Sequence, residues 1–236
     1  MNTKPTVLIT GAQRGLGFAL CEALLAKGFY VYATTRREAP ASLIELKKKF
    51  GDTLSILLLD VSSDESVQQA AERFALKFDH LDVLINNAGV RFDSSSAQLE
   101  EVDFDAALQT INVNSLGPLR VTRHFLSFLK KGQKRLIINI SSEAGSISQC
   151  WREKEFDYCM SKAALNMQSV ILHNYLQKDR LDILVVHPGW MRTDMGGPDA
   201  DITPSTAAQG IVALMETPRP AGQHFYVDYN GQAIAW

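Results

Sequence analysis

The stretch Val7-Leu8-Ile9-Thr10-Gly11-Ala12-Gln13-Arg14-Gly15-Leu16-Gly17 decides how the rest of the chain is read. An apolar, strand-like run meets a glycine-rich turn, and a helical pattern begins at Gly15. Glycines at such a junction let the backbone turn sharply and approach a pyrophosphate, which then sits on the positive end of the helix. The spacing is Gly-x-x-x-Gly-x-Gly rather than Gly-x-Gly-x-x-Gly. Alone, the loop reads equally as a tight strand–helix turn. Its place between the first strand and the first helix favours phosphate binding by Gly11, Gln13, Arg14, Gly15, Leu16 and Gly17.

Working outward, short β-branched runs alternate with helical patterns. Strands are expected at Val7–Thr10, Tyr30–Thr34, Leu54–Leu59, Val83–Asn86, Leu136–Ser141, Ile183–His187 and His224–Val227. Helices are expected at Gly15–Lys27, Ser42–Phe50, Asp64–Phe78, Asp103–Lys130, Asp157–Gln177 and Pro204–Glu216. Strands apolar on both faces, each followed by a helix, predict an α/β fold: a doubly wound, seven-stranded parallel sheet covered on both sides. No repeat or linker divides the chain, so residues 1–236 are expected to form one domain. Two long irregular stretches, Glu143–Phe156 and Pro188–Thr203, follow strands at their carboxyl ends, where open α/β sheets bind ligands. They are the expected substrate-side loops.

The composition is compatible. The 236 residues carry 24 basic and 26 acidic side chains, a net charge of −2, and 46% are hydrophobic. That suits a buried core and argues against disorder and against a nucleic-acid partner bound by phosphate neutralisation. No apolar run approaches the ~20 residues that span a bilayer, so no membrane partner is expected. The first residues enter a strand at once, without the pattern of a signal peptide. Three cysteines (Cys21, Cys150, Cys159) form no CxxC pair, and five scattered histidines show no HExxH. A cytoplasmic protein without a metal is the expectation.

The second strand ends in Ala33-Thr34-Thr35-Arg36-Arg37, with no acid until Glu38. A site for NAD places a carboxylate there to hold the ribose hydroxyls. An arginine can instead pair with a 2′-phosphate, with Arg14 as the other half of a clamp. NADP(H) is therefore the expected cofactor and NAD(H) the alternative, unless Arg36 and Arg37 are a solvated turn. Asp60-Val61 reads equally as an adenine contact and as a helix cap. Further on, Tyr158-Cys159-Met160-Ser161-Lys162 puts a phenol and an ammonium at i and i+4 on one helical face. An ammonium so placed favours the phenolate. Upstream, a strand ends in Asn139-Ile140-Ser141-Ser142, whose hydroxyls reach toward the same cleft.

Taken together these residues resemble the short-chain dehydrogenases/reductases. The likeness is carried by Thr10-Gly-x-x-x-Gly-x-Gly17, Asn86-Asn87-Ala88-Gly89, Asn114 in Val-Asn-x-x-Gly, Ser142, Tyr158-x-x-x-Lys162, and Pro188-Gly189 with Thr193. The run His187–Gly197 with Ile202-Thr203-Pro204 is similar to the C-factor-like branch, which includes carbonyl reductases. Gly231–Trp236 agrees more loosely. The resemblance implies a single-domain Rossmann fold and a tetrad. Tyr158 would be the general acid or base, and Ser142 would hold the carbonyl oxygen. Lys162 would bind the nicotinamide ribose and depress the tyrosine pKa, and Asn114 would anchor a proton-relay water. Asn87, Ala88, Gly89, Pro188, Gly189 and Thr193 would line the cofactor. Ser142 precedes Tyr158 by sixteen residues, more than the family commonly has, so the intervening loop carries an insertion. Ser141 and Asn112 are adjacent candidates, but the family register selects Ser142 and Asn114.

The implied activity is NADP(H)-dependent hydride transfer between the nicotinamide and a small carbonyl/alcohol substrate. A signalling protein with secondary reductase activity is the alternative. A sugar-nucleotide epimerase or dehydratase fits less well, because few residues follow Thr193. Trp151, Arg152, Lys154, Phe156, Trp190, Met191 and Met195 are candidates for the substrate loops, with ordinary loop packing an equal reading. Arg152 and Lys154 read as solvated rather than as contacts to an acidic substrate. Apolar residues on the two long helices (Leu116, Leu119, Val121, Phe125 and Phe128; Leu165, Met167, Val170 and Ile171) exceed what one sheet face needs, and a homodimer or homotetramer is expected.

Overall fold

The computed structural model describes residues 4–217 and 225–236. Its centre is one parallel sheet of β1 (Thr6–Ile9), β2 (Tyr30–Thr35), β3 (Leu54–Leu58), β4 (Val83–Asn86), β5 (Leu136–Ile140), β6 (Asp182–His187) and β7 (Tyr226–Asp228). The spatial order is β3-β2-β1-β4-β5-β6-β7. All seven expected strands are present with ends shifted by a residue or two. His224, where the last was expected to begin, lies outside the described residues.

Successive strand residues point to opposite faces, and each face has its own core. Val7 and Ile9 pack with α1 (Gly15–Ala26), α2 (Ala41–Phe50) and α7 (Pro204–Leu214). Leu8 packs on the other side with α3 (Asp64–Ala75), α5 (Gly117–Leu129) and α6 (Phe156–Leu176). Side chains such as Leu8, Ile9, Phe74 and Phe125 are fully buried, each worth about 1.5–3 kcal/mol of transfer free energy. The chain winds outward from β1 through β3 and then, from β4, in the other direction. The crevice between the carboxyl ends of β1 and β4 is the switch point where such sheets take ligands.

One expectation needs correction. The helical pattern Asp103–Lys130 is not a single helix: α4 (Phe104–Ile111) and α5 are joined by a π-turn at Asn112–Leu116. Pro118 has no N–H for the carbonyl four residues back, which loosens the ladder there. Tertiary bonds complete the turn. Asn114 and Ser115 are buried, and the Ser115 hydroxyl donates to the Ser161 carbonyl at 2.8 Å.

The surplus apolar surface is also smaller than expected. Val121, Phe125 and Leu165 belong to the core. Leu116, Leu119, Met167 and Ile171 are exposed, as are Phe104, Leu108 and Tyr175 nearby on the same helices.

Candidate active site

The loop after β1 is stitched to the loop after β4. The Thr10 hydroxyl accepts the Asn87 and Ala88 N–H groups at 2.9 and 3.0 Å. Asn87 Nδ2 donates to the Thr10 and Gly11 carbonyls at 2.9 and 3.1 Å. Gly11 turns the chain with φ +67°, and a Cβ at Gly17 would collide with the Gly11 carbonyl and the Asn87 amide. Thr10 thus organises the loop, although its sequence signal was only its place before the first glycine. The α1 N-terminus has neither an acidic residue in its first turn nor a side-chain cap, so its first N–H groups are left open to a ligand anion. Gln13 Oε1 is buried with no protein partner beside them. An open backbone cradle with free N–H groups fits a pyrophosphate-bearing ligand, while the Gln13 oxygen, an acceptor, calls for a ligand donor such as a hydroxyl.

A continuous cleft of about 1150 Å³ runs from that loop across the sheet's carboxyl edge. Gly11, Gln13, Arg14, Gly15, Leu16, Gly17, Arg36, Asp60, Val61, Asn87, Ala88 and Gly89 border it toward one end. Ser142, Tyr158, Lys162, Pro188, Gly189 and Thr193 border the rest. Arg37 is exposed and stands outside the wall, so Arg36 and Arg14 are the arginines that border the cleft at this end. Of these, Arg14 pairs with Asp194 in the loop after β6. Asp60 does not cap α3. Its Oδ1 accepts from the Ser62 N–H and hydroxyl at 2.9 and 2.6 Å, while the cap is Ser63, accepting from Ser66 N at 3.2 Å.

At the other end, α6 carries Tyr158 and Lys162 one turn apart, with the Lys162 nitrogen 5.7 Å from the phenol ring centre. Lys162 Nζ donates to the Ile140 carbonyl at 2.8 Å. Burial pulls the lysine pKa down to about 8. Burial also pushes the Tyr158 phenol up to about 12, against a hydrogen bond with Ser142 that lowers it. The direction is opposite to the lowering implied by the resemblance, because desolvation, helped by the Glu143 and Glu155 charges, outweighs the Ser142 hydrogen bond and the Arg91 charge. Asn114 does not border the cleft. Its Oδ1 accepts from Val90 N at 2.8 Å, and its Nδ2 donates to the Val90 carbonyl at 2.8 Å and to Ser161 Oγ at 3.0 Å. Asn112 is engaged elsewhere, accepting from Arg120 at 2.7 Å. Ser141 donates to Asn166 Oδ1 at 2.7 Å inside the protein, leaving Ser142 as the hydroxyl bonded to a cleft-side group.

Several cleft groups escaped the sequence reading. Ser142 Oγ donates to Glu143 Oε2 at 2.5 Å, and His187 Nδ1 accepts the Glu143 N–H at 3.2 Å. Burial lowers the His187 pKa. Burial would raise that of Glu143, but hydrogen bonds from Ser142 and Arg152 hold it below the usual carboxylate value. Arg152, expected to be solvated, is paired with Glu143 and Glu155 at 2.7 Å each. Arg91 joins Glu155 at 3.0 Å. No periodic spacing announces these contacts, which join irregular loops. Lys154 and Phe156 lie outside the cleft wall, whereas Trp151, Trp190, Met191 and Met195 line it. Among the described residues no cluster of His, Cys, Asp and Glu could hold a metal. No helix among them is long and apolar enough to cross a membrane.

Known proteins share this architecture over their full length. The NADPH-bound carbonyl reductase from chicken fatty liver superposes with a TM-score of 0.90 at 30% identity, covering 99% of each chain. The carbonyl reductase Sniffer of D. melanogaster gives 0.91 at 30% identity, covering 99% of this chain and all of that one. In sequence, C-signal of Myxococcus xanthus is 36% identical over 156 residues, which is 66% of this chain and 93% of that protein. The family model described as short chain dehydrogenase matches residues 5–201, from the first strand into the loop after β6, and the chain belongs to that family.

Proposed function

We propose that the chain is an NADPH-dependent carbonyl reductase, working as one domain in the cytoplasm. The observation that carries the reading is the single cleft shared by the glycine loop, Arg36, Ser142, Tyr158 and Lys162. NADP bound in the solved relatives supports the cofactor. The α1 N-terminus and its glycines would hold the pyrophosphate, and Arg36 with Arg14 the 2′-phosphate. The Asn87–Gly89 and Pro188–Thr193 segments would line the nicotinamide half, with Lys162 donating to its ribose. When bound, the nicotinamide supplies the hydride.

The chain's own groups manage the oxygen. Ser142 donates a hydrogen bond to the substrate carbonyl, and Tyr158 delivers the proton as negative charge develops there. Burial raises the pKa of the phenol, so it is protonated at neutrality and can serve as the acid of the reduction. Asn114 ties Val90 to Ser161 behind the reacting groups and is a positioning residue. The test is a panel of aldehydes and ketones assayed by NADPH oxidation, run beside Tyr158→Phe. The parent should turn over and the variant should bind NADPH yet lose activity about a thousandfold or more. A fully active variant would overturn the assignment.

The similarity to C-signal favours a second reading, a dinucleotide-binding signalling protein. Cofactor binding without consumption of any carbonyl would support it. The exposed Leu116, Leu119, Met167 and Ile171 support a homodimer or homotetramer. Light scattering on a size-exclusion column should give a multiple of 26.1 kDa.

A further inference from the structure

Ser142 and Glu143 are consecutive, and the hydroxyl of one donates to the carboxylate of the other at 2.5 Å. The same oxygen, Glu143 Oε2, also accepts the Ala144 N–H. Oε1 accepts Arg152 Nη2 at 2.7 Å. Arg152 Nε donates to Glu155 at 2.7 Å, and Glu155 accepts Arg91 Nη1 at 3.0 Å. Arg91 Nη2 donates to the Met195 carbonyl at 2.6 Å. This chain of bonds runs through the loops after β4, β5 and β6, and its two carboxylates and two guanidiniums cancel. Both arginines border the cleft with their charges already paired to carboxylates.

What this wall offers a substrate is the Glu143 carboxylate, beside the position a carbonyl oxygen must take. A carbonyl that accepts the Ser142 proton removes a donor from Glu143 Oε2. A partly buried carboxylate that loses a donor is penalised. A hydroxyl on the carbon next to the carbonyl restores the bond. The two oxygens of such a compound are about one hydrogen-bond length apart, as Ser142 Oγ and Glu143 Oε2 are. An alkyl group there restores nothing, and a carboxylate there meets like charge.

We propose that Glu143 is a specificity-determining residue that selects carbonyl compounds bearing a hydroxyl on the adjacent carbon and, in the reverse direction, vicinal diols. The proposal rests on the reductase reading above and names its substrate class. A site built around a hydrogen bond discriminates strongly against the analogue that lacks it.

The test compares 2-hydroxyacetophenone with propiophenone, which differ by a hydroxyl in place of a methyl group, through kcat/KM with NADPH. The expected preference for the hydroxy ketone is about tenfold or more, the size of a hydrogen bond to a charged acceptor. Glu143→Gln should keep part of it, and Glu143→Ala should bring the ratio near one. In a binding readout, 1-phenyl-1,2-ethanediol should raise the Tm of the NADP⁺-loaded enzyme more than 1-phenylpropan-1-ol does. Equal kcat/KM in the unsubstituted enzyme, or a ratio that survives Glu143→Ala, overturns the selection and leaves the reductase reading standing. Turnover of neither ketone while other carbonyls of the panel are reduced overturns the selection alone, and turnover of no carbonyl at all, with NADPH bound, overturns both.

Discussion

The Lys162 ammonium donates to the Ile140 carbonyl at 2.8 Å, where the end of β5 meets α6. The side chain is buried, and its pKa falls from 10.5 to about 8. Between those values the unfolded chain holds a proton that the folded chain has released, so stability rises with pH in that window. Below about pH 8 the folded state carries the buried charge in full. Tyr158, pushed up to about 12, opposes the rise only above the ordinary tyrosine pKa of 10.0. Lys162→Met should therefore be more stable than the parent at pH 7, by about 1–3 kcal/mol, and should lose the rise between pH 8 and 10. Urea denaturation at pH 7, 8.5 and 10 measures both. A less stable variant at pH 7 would mean that the Ile140 hydrogen bond outweighs desolvation.

Asn114 makes three bonds from within the π-turn, where the i→i+4 ladder of the flanking helices is interrupted. Asn114→Ala strands the Val90 N–H and carbonyl and removes the tie to Ser161. The expected loss is about 2–3 kcal/mol of stability, with a lower kcat because the segment holding Ser161 and Lys162 loosens. Denaturant melts give the first and steady-state kinetics the second. A loss within the scatter of surface substitutions, about 0.5 kcal/mol, would show that the turn holds itself.

Gly17 faces the backbone of its own loop and the Asn87 amide, with no room for a methyl group. Gly17→Ala should cost about 1–3 kcal/mol and weaken NADPH binding more than it weakens folding, since the displaced atoms form the phosphate cradle. Fluorescence titration with NADPH alongside a thermal melt separates the two. Unchanged affinity would remove the loop from the cofactor site.

Arg36 stands at the end of β2 on the cleft wall, where an NAD site would place a carboxylate. Replacing it with Asp should lower kcat/KM for NADPH by about 10–100-fold, the size of one charge-assisted contact, and improve the relative use of NADH. Paired assays with both cofactors read the change directly. If the NADPH/NADH ratio did not move, discrimination would have to lie elsewhere.

Much of this protein is legible along the chain because its signals are local. A strand of four to six residues with both faces apolar announces a covered parallel sheet, and a glycine is the residue that turns with positive φ at least cost. Tyr158 and Lys162 share a face because four residues make about one helical turn. The seven strands and the glycine loop follow from such short-range rules, and the expected sheet is the one observed.

The features that differ depend on partners distant in sequence. The break at Asn112–Leu116 is held by Val90 and Ser161, and no helical period encodes those bonds. Arg36 borders the cleft and Arg37 does not, because the end of a strand turns one side chain in and the next out. The chain linking Ser142, Glu143, Arg152, Glu155 and Arg91 joins separate loops that meet only once the sheet has formed. Periodicity and glycine placement determined the scaffold and the phosphate end. Only tertiary packing decided which charges cancel and which oxygens line the cleft, because a side chain's partner is chosen by proximity in the folded state.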